Sequence, residues 1–93
     1  MPLASALESS EPLARLSQRM RESRQRFHCI QAALPAQLAE QIKPGPIDVD
    51  GWTVLAANSA VAAKLRQLVP DLHSVLAAAG HAELPIRVRI QPA

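Results

Sequence analysis

One proline, Pro70, constrains the fold of this chain more than any other residue. Before it, a strand-like run ends at Asn58 and Ser59, which can both cap the first turn of a helix. Proline donates no backbone hydrogen bond and suits the first position of a helix, so the apolar pattern of residues 60–79 predicts two helices that divide at Pro70. Gly80 is typical of the residue that follows a helix end.

A β-hairpin is predicted before these helices. Asp50-Gly51 is a two-residue turn signal between the strand-like runs 47–49 and 52–57. This loop places Val49 opposite Trp52 on the face that meets the helices, and the apolar residues of both runs join one core. The predicted core comprises Ile47, Val49, Trp52, Val54, Leu65, Leu72, Leu76, Ile86 and Val88.

A third strand is predicted at residues 86–90, where apolar and basic side chains alternate. Its three apolar residues face the core, whereas Arg87 and Arg89 point away. The preceding connection through two helices is long enough to make this strand parallel to its neighbour. The sequence therefore predicts an α+β fold, in which helices cover one face of a mixed three-stranded sheet and the other face is polar.

A long first helix is predicted to begin near Ser10, with Ser23 in the one polar position of its apolar stripe. That stripe consists of Leu13, Leu16, Met20, Phe27, Ile30 and Leu34. Residues 1–9 show no period and are expected to form a flexible tail, so that residues 10–93 make up a single domain. A short helix, residues 36–42, is expected to end at the cluster Lys43-Pro44-Gly45-Pro46.

The resulting order, helix–strand–strand–helix–helix–strand, resembles that of a type II KH domain. KH domains that clamp RNA carry a Gly-x-x-Gly loop between their two central helices, where the backbone approaches phosphates. Here that junction is Gln67-Leu68-Val69-Pro70, which contains no glycine. A KH-like fold with a use other than ordinary RNA clamping is therefore expected.

Positive charge is concentrated in the first helix. The net charge is only +2, yet residues 12–27 hold five arginines against Glu22 alone. With only two aromatic residues to stack on bases, nucleic-acid contacts would be made mainly to phosphates. The first candidates for DNA contact are Arg15, Arg19, Arg24 and Arg26, and the second are Lys64, Arg66, Arg87 and Arg89. Two alternatives stay open: the helix arginines can be a solvated face, and Arg66 can form an ion pair with an acidic residue of the hairpin.

No spacing of residues predicts an enzyme, a metal site or a cofactor. His28, His73 and His81 fall in separate elements, and no serine lies in a glycine-rich elbow. The lone cysteine, Cys29, fits a reducing compartment, and no signal peptide or membrane span is evident. A cytoplasmic protein without membrane contact is expected.

A series of short motifs along residues 13–92 resembles the DciA family, once catalogued as a domain of unknown function. These motifs are Leu38-Ala39, Lys43-Pro44-Gly45, Gly51-Trp52-Thr53-Val54, Asn58-Ser59-Ala60, Leu65-Arg66, Pro70 and Ile86-Arg87-Val88. Members of that family are bacterial replication proteins with a KH-like domain that bind the replicative helicase and DNA. The resemblance implies a non-enzymatic adaptor that loads or operates the helicase and binds DNA without sequence preference.

An alternative from another class is a protein-interaction module that does not bind nucleic acid. In that case the long first helix would pair with a partner or with its own copy, as its near-heptad stripe allows. Salt distinguishes the two hypotheses, because affinity for DNA falls steeply with added salt and apolar docking hardly changes.

Overall fold

The computed structural model describes residues 11–92. The predicted tail, residues 1–9, and the predicted helix cap, Ser10, lie outside the described residues. In chain order the elements are α1 (Glu11–Ala33), α2 (Ala36–Ala39), β1 (Ile42–Asp48), β2 (Gly51–Ala56), α3 (Ser59–Ala78) and β3 (Ile86–Ile90). Together they form the predicted α+β fold.

The three strands form one sheet in the order β1-β2-β3. β1 pairs antiparallel with β2, and β2 pairs parallel with β3, so the sheet is mixed, as predicted. Trp52 is paired with Ile86, and Val54 with Val88. Since side chains alternate along each strand, these residues share the face that packs against the helices.

The predicted register of the hairpin is wrong. Ile47, not Val49, is opposite Trp52, and Val49 lies in the turn with 85% of its surface exposed. The cause is Asp48, whose Oδ1 accepts hydrogen bonds from the backbone N–H groups of residues 50 and 51, at 2.8 and 3.1 Å. This aspartate closes the turn one position earlier than the Asp50-Gly51 signal predicts.

β1 is longer than predicted, and α2 ends at Ala39 instead of Ile42. The cluster Lys43-Pro44-Gly45-Pro46 lies within β1, where the register shifts between Pro44 and Ile47. β1 is an edge strand, which tolerates proline because one side of its backbone needs no partner. Gly45 is required there, since a Cβ atom would lie 2.8 Å from the carbonyl oxygen of Thr53.

α3 runs without interruption through Pro70, so the predicted division into two helices is wrong. Leu65 and Leu72, seven residues apart, lie on the same face and are both buried, while Pro70 is exposed. Packing of this face against the sheet keeps one helix intact despite the missing N–H donor. The element order is therefore α-α-β-β-α-β, in place of the predicted α-β-β-α-α-β.

Both ends of α3 agree with the sequence. Asn58 caps the N-terminus, since its side chain accepts a hydrogen bond from the N–H of Val61 at 2.9 Å. Gly80 has φ of +88° and follows the C-cap residue. The N–H of His81 then donates to the carbonyl of Leu76 at 3.0 Å, which is the bond expected of such a helix end.

One core joins the helices to the sheet. Its largest fully buried side chains are Trp52, Ile30, Leu65, Leu72 and Val54. Apart from Val49, every predicted core residue is buried or, in the case of Ile86, partly buried against the cluster. On the other side of the sheet Arg87 and Arg89 are exposed, as predicted.

Candidate nucleic-acid interface

The arginines of α1 lie along a helix that is only half covered by the rest of the domain. Ile30 is fully buried, whereas Leu13, Leu16 and Met20 are 65%, 53% and 55% exposed. The predicted core stripe is therefore wrong over the N-terminal half of α1, where these three apolar side chains are more than half exposed. Its exposed basic side chains are those of Arg15, Arg19, Arg21 and Arg24.

Ser23 fixes the direction in which this helix leaves the core. Its Oγ accepts a hydrogen bond from Nε1 of the fully buried Trp52 at 2.9 Å and donates one to the carbonyl of Gly45 at 2.7 Å. The polar position of the stripe thus joins α1 to both β1 and β2. The exposed arginines are carried on a helix whose orientation is set by a buried hydrogen-bonded pair.

Arg26 is the one member of the predicted first set that the structure buries. It is 2% exposed, and its guanidinium donates to the carbonyl of Ala82 at 3.0 Å and to the Glu22 carboxylate at 3.3 Å. This geometry ties α1 to the segment that leads into β3. Because Arg26 presents almost no surface to solvent, its burial argues against the predicted phosphate contact.

The contact between Arg26 and Glu22 also affects the charge of the exposed face. Glu22 is the only acidic residue among the arginines of residues 12–27, and its carboxylate lies 3.3 Å from the buried guanidinium. Its negative charge is thus compensated from within the domain. The positive field of the exposed arginines is correspondingly less reduced by Glu22.

A groove of about 660 Å³ runs between the N-terminal half of α1 and the bulged strand β1. Arg19 and Arg24, both exposed, belong to its wall. Its apolar surface comes from Leu16 and Met20 on α1 and from residues 44–47 and Leu55 on the sheet. The groove combines these apolar side chains with two basic residues and one acidic residue, Asp48.

The second predicted set divides between α3 and β3. Arg66 donates from Nη2 to the carbonyl of Val88 at 3.3 Å, so its described contact is with β3 and not with an acidic residue of the hairpin. Arg87 lies 3.8 Å from Asp48 on the polar face of the sheet. The Val88 contact places the guanidinium of Arg66 at β3, the strand that carries Arg87 and Arg89.

Lys64 lies apart from both groups of arginines. Its neighbours around a separate shallow pocket include Gln37, Gln41 and Asn58. Lys64 is exposed and faces the end of α2 instead of the sheet. Lys64 and Arg66 belong to the same predicted set, yet their side chains lie beside different neighbours.

Sequence reasoning did not single out Lys43 as a basic residue of the sheet. In the structure Lys43 and Arg89 are both paired with Leu55, one on each side, so the three residues cross the polar face in one row. Lys43 had been assigned to a helix-breaking cluster. The signal that could have found it is the alternation of Ile42, Lys43 and Pro44 at the start of a proline-tolerant edge strand.

The described residues also show how the potential metal ligands and the Gln67–Pro70 segment are arranged. Across residues 11–92, no three His, Cys, Asp or Glu side chains are placed to hold a metal ion. Cys29 Sγ and His81 Nε2 are 3.6 Å apart, and both residues line a surface pocket with His28. The Gln67-Leu68-Val69-Pro70 segment, which the sequence predicts to join two helices, lies within the single helix α3.

Among the described helices, none combines the length and apolar character that a membrane crossing requires. Comparison of the chain with known proteins finds no matching family model and no matching curated protein.

Proposed function

We propose that this chain is a cytoplasmic, non-enzymatic adaptor of bacterial DNA replication, with a KH-like domain, that binds DNA through phosphates without reading its sequence. The KH-like assignment and the replication role rest on the motifs that resemble the DciA family. The mixed sheet, with one parallel pair of strands, is compatible with that assignment. The single helix between β2 and β3 departs from the type II order.

The observation that carries the DNA-binding proposal is the exposed basic face of α1. Arg15, Arg19 and Arg24 are exposed on the half of the helix that the sheet leaves uncovered, and Glu22 contacts the buried Arg26. A rigid helix that presents several guanidinium groups suits contact with successive phosphates. We leave Arg26 out of the proposed contacts because it is buried.

Lack of sequence preference follows from the kind of side chain that is exposed. Trp52 is fully buried and Phe27 is partly buried against the core, so neither offers an open ring face to a base. Phosphate contacts position a protein on DNA but carry no sequence information. Binding should therefore be similar for unrelated sequences and strongly dependent on salt.

The experiment compares two triple variants of equal net charge in titrations with labelled oligonucleotides at low salt. Arg15, Arg19 and Arg24 are replaced by alanine in the first, and Lys43, Lys64 and Arg89, all exposed, in the second. We expect the first variant to lose affinity for every sequence to a similar extent, and the second to lose much less. Equal losses in the two variants would mean that only overall charge matters, and the assignment to α1 would be wrong.

A second candidate function, docking on a partner protein, is favoured by the exposed apolar residues of α1. Leu13, Leu16 and Met20 are more than half exposed, and the last two border the groove beside β1. Exposed apolar surface of this kind, with polar residues around it, is typical of interaction sites. The resemblance to the DciA family makes the replicative helicase the partner to test first.

This candidate is tested with purified bacterial replicative helicase at high salt, where contacts to phosphates are weak. Leu16→Ser and Met20→Ser together should reduce helicase binding and leave DNA affinity nearly unchanged, since neither substitution alters charge. Val49→Ser is the control, because Val49 is equally apolar and 85% exposed at the hairpin turn. If the control and the double variant bind the helicase alike, the groove is not the docking surface.

A further inference from the structure

The two edges of the sheet are built differently. On β1, Pro44 and Pro46 have no N–H to donate, and the register shifts between Pro44 and Ile47. The carbonyl of Gly45 already accepts a hydrogen bond from Ser23 on α1. Prolines, a bulge and a covering helix are the devices by which proteins protect an edge strand from pairing with another chain.

β3, the other edge, has neither a proline nor a bulge within its five residues, Ile86–Ile90, and α3 reaches its outer side through the side chain of Arg66. Its pairing with β2 includes the carbonyl of Pro85, which accepts from Trp52 at 2.8 Å, and the N–H of Gln91, which donates to Ala56 at 2.7 Å. Backbone groups alternate in direction along a strand. The N–H and carbonyl groups of residues 86, 88 and 90 therefore point away from β2.

The contact of Arg66 confirms this direction. Its Nη2 donates to the carbonyl of Val88 from the side opposite β2, at 3.3 Å. The outer edge can thus accept a donor, and Arg66 occupies its central carbonyl until another donor replaces it. Ile90, the last residue of the strand, is 49% exposed, so the apolar side of this edge is also accessible.

Charge decides what can pair with β3. Arg89 is exposed on the polar face and Arg66 lies across the edge at Val88, whereas the Arg87 guanidinium lies over Gly51 and is 3.8 Å from Asp48 of β1. In an antiparallel pairing of β3 with a second copy of itself, an arginine of one copy would lie opposite or next to an arginine of the other, and like charges in such positions are destabilising. An acidic strand would instead place its carboxylates beside these guanidinium groups.

We propose that the outer edge of β3 binds an extended acidic segment of another protein, in which acidic and apolar residues alternate. The segment adds a fourth strand by hydrogen bonding to the backbone of residues 86, 88 and 90, and one of its N–H groups replaces Arg66 as the donor to the carbonyl of Val88. Its acidic side chains lie beside Arg89 and Arg66, and its apolar side chains lie beside Ile90. This surface is on the opposite edge of the sheet from the groove at β1 and does not depend on the proposed DNA contacts of α1.

The probe is a labelled peptide of alternating Glu and Val, titrated against the full chain. Its controls are the Lys-Val peptide of equal length and two Glu-Val peptides that are N-methylated at alternate residues, in one or the other phase. We expect saturable binding of the Glu-Val peptide, no binding of the Lys-Val peptide, and at least tenfold weaker binding of one N-methylated phase than of the other. Equal affinity for the two phases would show attraction by charge alone and overturn the proposal.

A pair of variants tests the same edge from the protein side. Ile90→Pro removes an N–H that points away from β2, whereas Ile90→Val keeps it, so peptide affinity should fall at least tenfold only in the proline variant. Unchanged binding by Ile90→Pro would overturn the proposal. Formation of a β3-linked dimer in place of peptide binding would also overturn it. The proposal would likewise be wrong if an oligonucleotide displaced the labelled peptide and bound the variant lacking Arg15, Arg19 and Arg24 as tightly as it binds the wild type.

Discussion

Two polar side chains, Ser23 and Arg26, determine how α1 sits on the rest of the domain. Ser23 joins the indole of Trp52 to the carbonyl of Gly45, and Arg26 reaches the carbonyl of Ala82. They are the two buried polar residues in the part of the chain that the structure describes. Their partners are fixed by hydrogen-bond geometry, which restricts the helix to one orientation.

Loss of the Ser23 hydroxyl should destabilise the fold. Ser23→Ala leaves the buried N–H of Trp52 and the carbonyl of Gly45 without this partner, and we expect it to lower the free energy of unfolding by about 1–3 kcal/mol. Ser17→Ala, at an exposed position of the same helix, should change it by less than about 0.5 kcal/mol. Urea unfolding of both variants measures the difference, and equal stability would contradict the bonding role of Ser23.

Substitutions at Arg26 and Arg24 should have different effects, the first on stability and the second on DNA binding. Arg26→Ala removes the donor to Ala82, and we expect it to lower the free energy of unfolding by about 1–3 kcal/mol. Arg24→Ala, at an exposed site two residues away, should leave unfolding nearly unchanged and weaken DNA binding. The same denaturant titrations measure stability, and the account is contradicted if Arg24→Ala is the more destabilising of the two.

At the scale of single elements, the sequence predicts those features of a helix or strand that depend only on residues close together in the chain. Alternation of apolar and basic residues predicts β3. The capping residue Asn58 predicts where α3 begins, and Gly80 predicts where it ends. The hairpin register was missed because two aspartates compete for the turn, and only the geometry of the Asp48 side chain decides between them. The continuity of α3 was missed because burial of Leu65 and Leu72 against the sheet outweighs the local effect of a proline.

Replacing Pro70 distinguishes one continuous helix from two, because the change in the free energy of unfolding differs in sign between them. In a continuous helix, Pro70→Ala restores an N–H donor to the carbonyl of Arg66, and the free energy of unfolding should rise by up to about 3 kcal/mol. If Pro70 instead began a second helix, where proline is favoured, the substitution would be neutral or destabilising. Thermal and urea unfolding both report this sign.

At the scale of the whole molecule, positive charge lies on two separate surfaces, the exposed half of α1 and the region around β3. The first was predictable because its arginines are close together in sequence. The burial of Arg26 was not, because its acceptor is the carbonyl of Ala82, 56 residues further along the chain. The grouping of Arg66 with β3 and the row formed by Lys43, Leu55 and Arg89 likewise depend on how distant segments meet in the fold.

The salt dependence of DNA binding tests the central proposal most directly. The slope of log affinity against log salt counts phosphate contacts, at roughly 0.9 for each contact on duplex DNA. The account predicts that replacing Arg15, Arg19 and Arg24 by alanine reduces the slope by up to about three, whereas the charge-matched Lys43, Lys64 and Arg89 variant keeps a slope close to that of the wild type. A wild-type chain that shows no DNA binding at low salt, or an α1 variant with an unchanged slope, would contradict it.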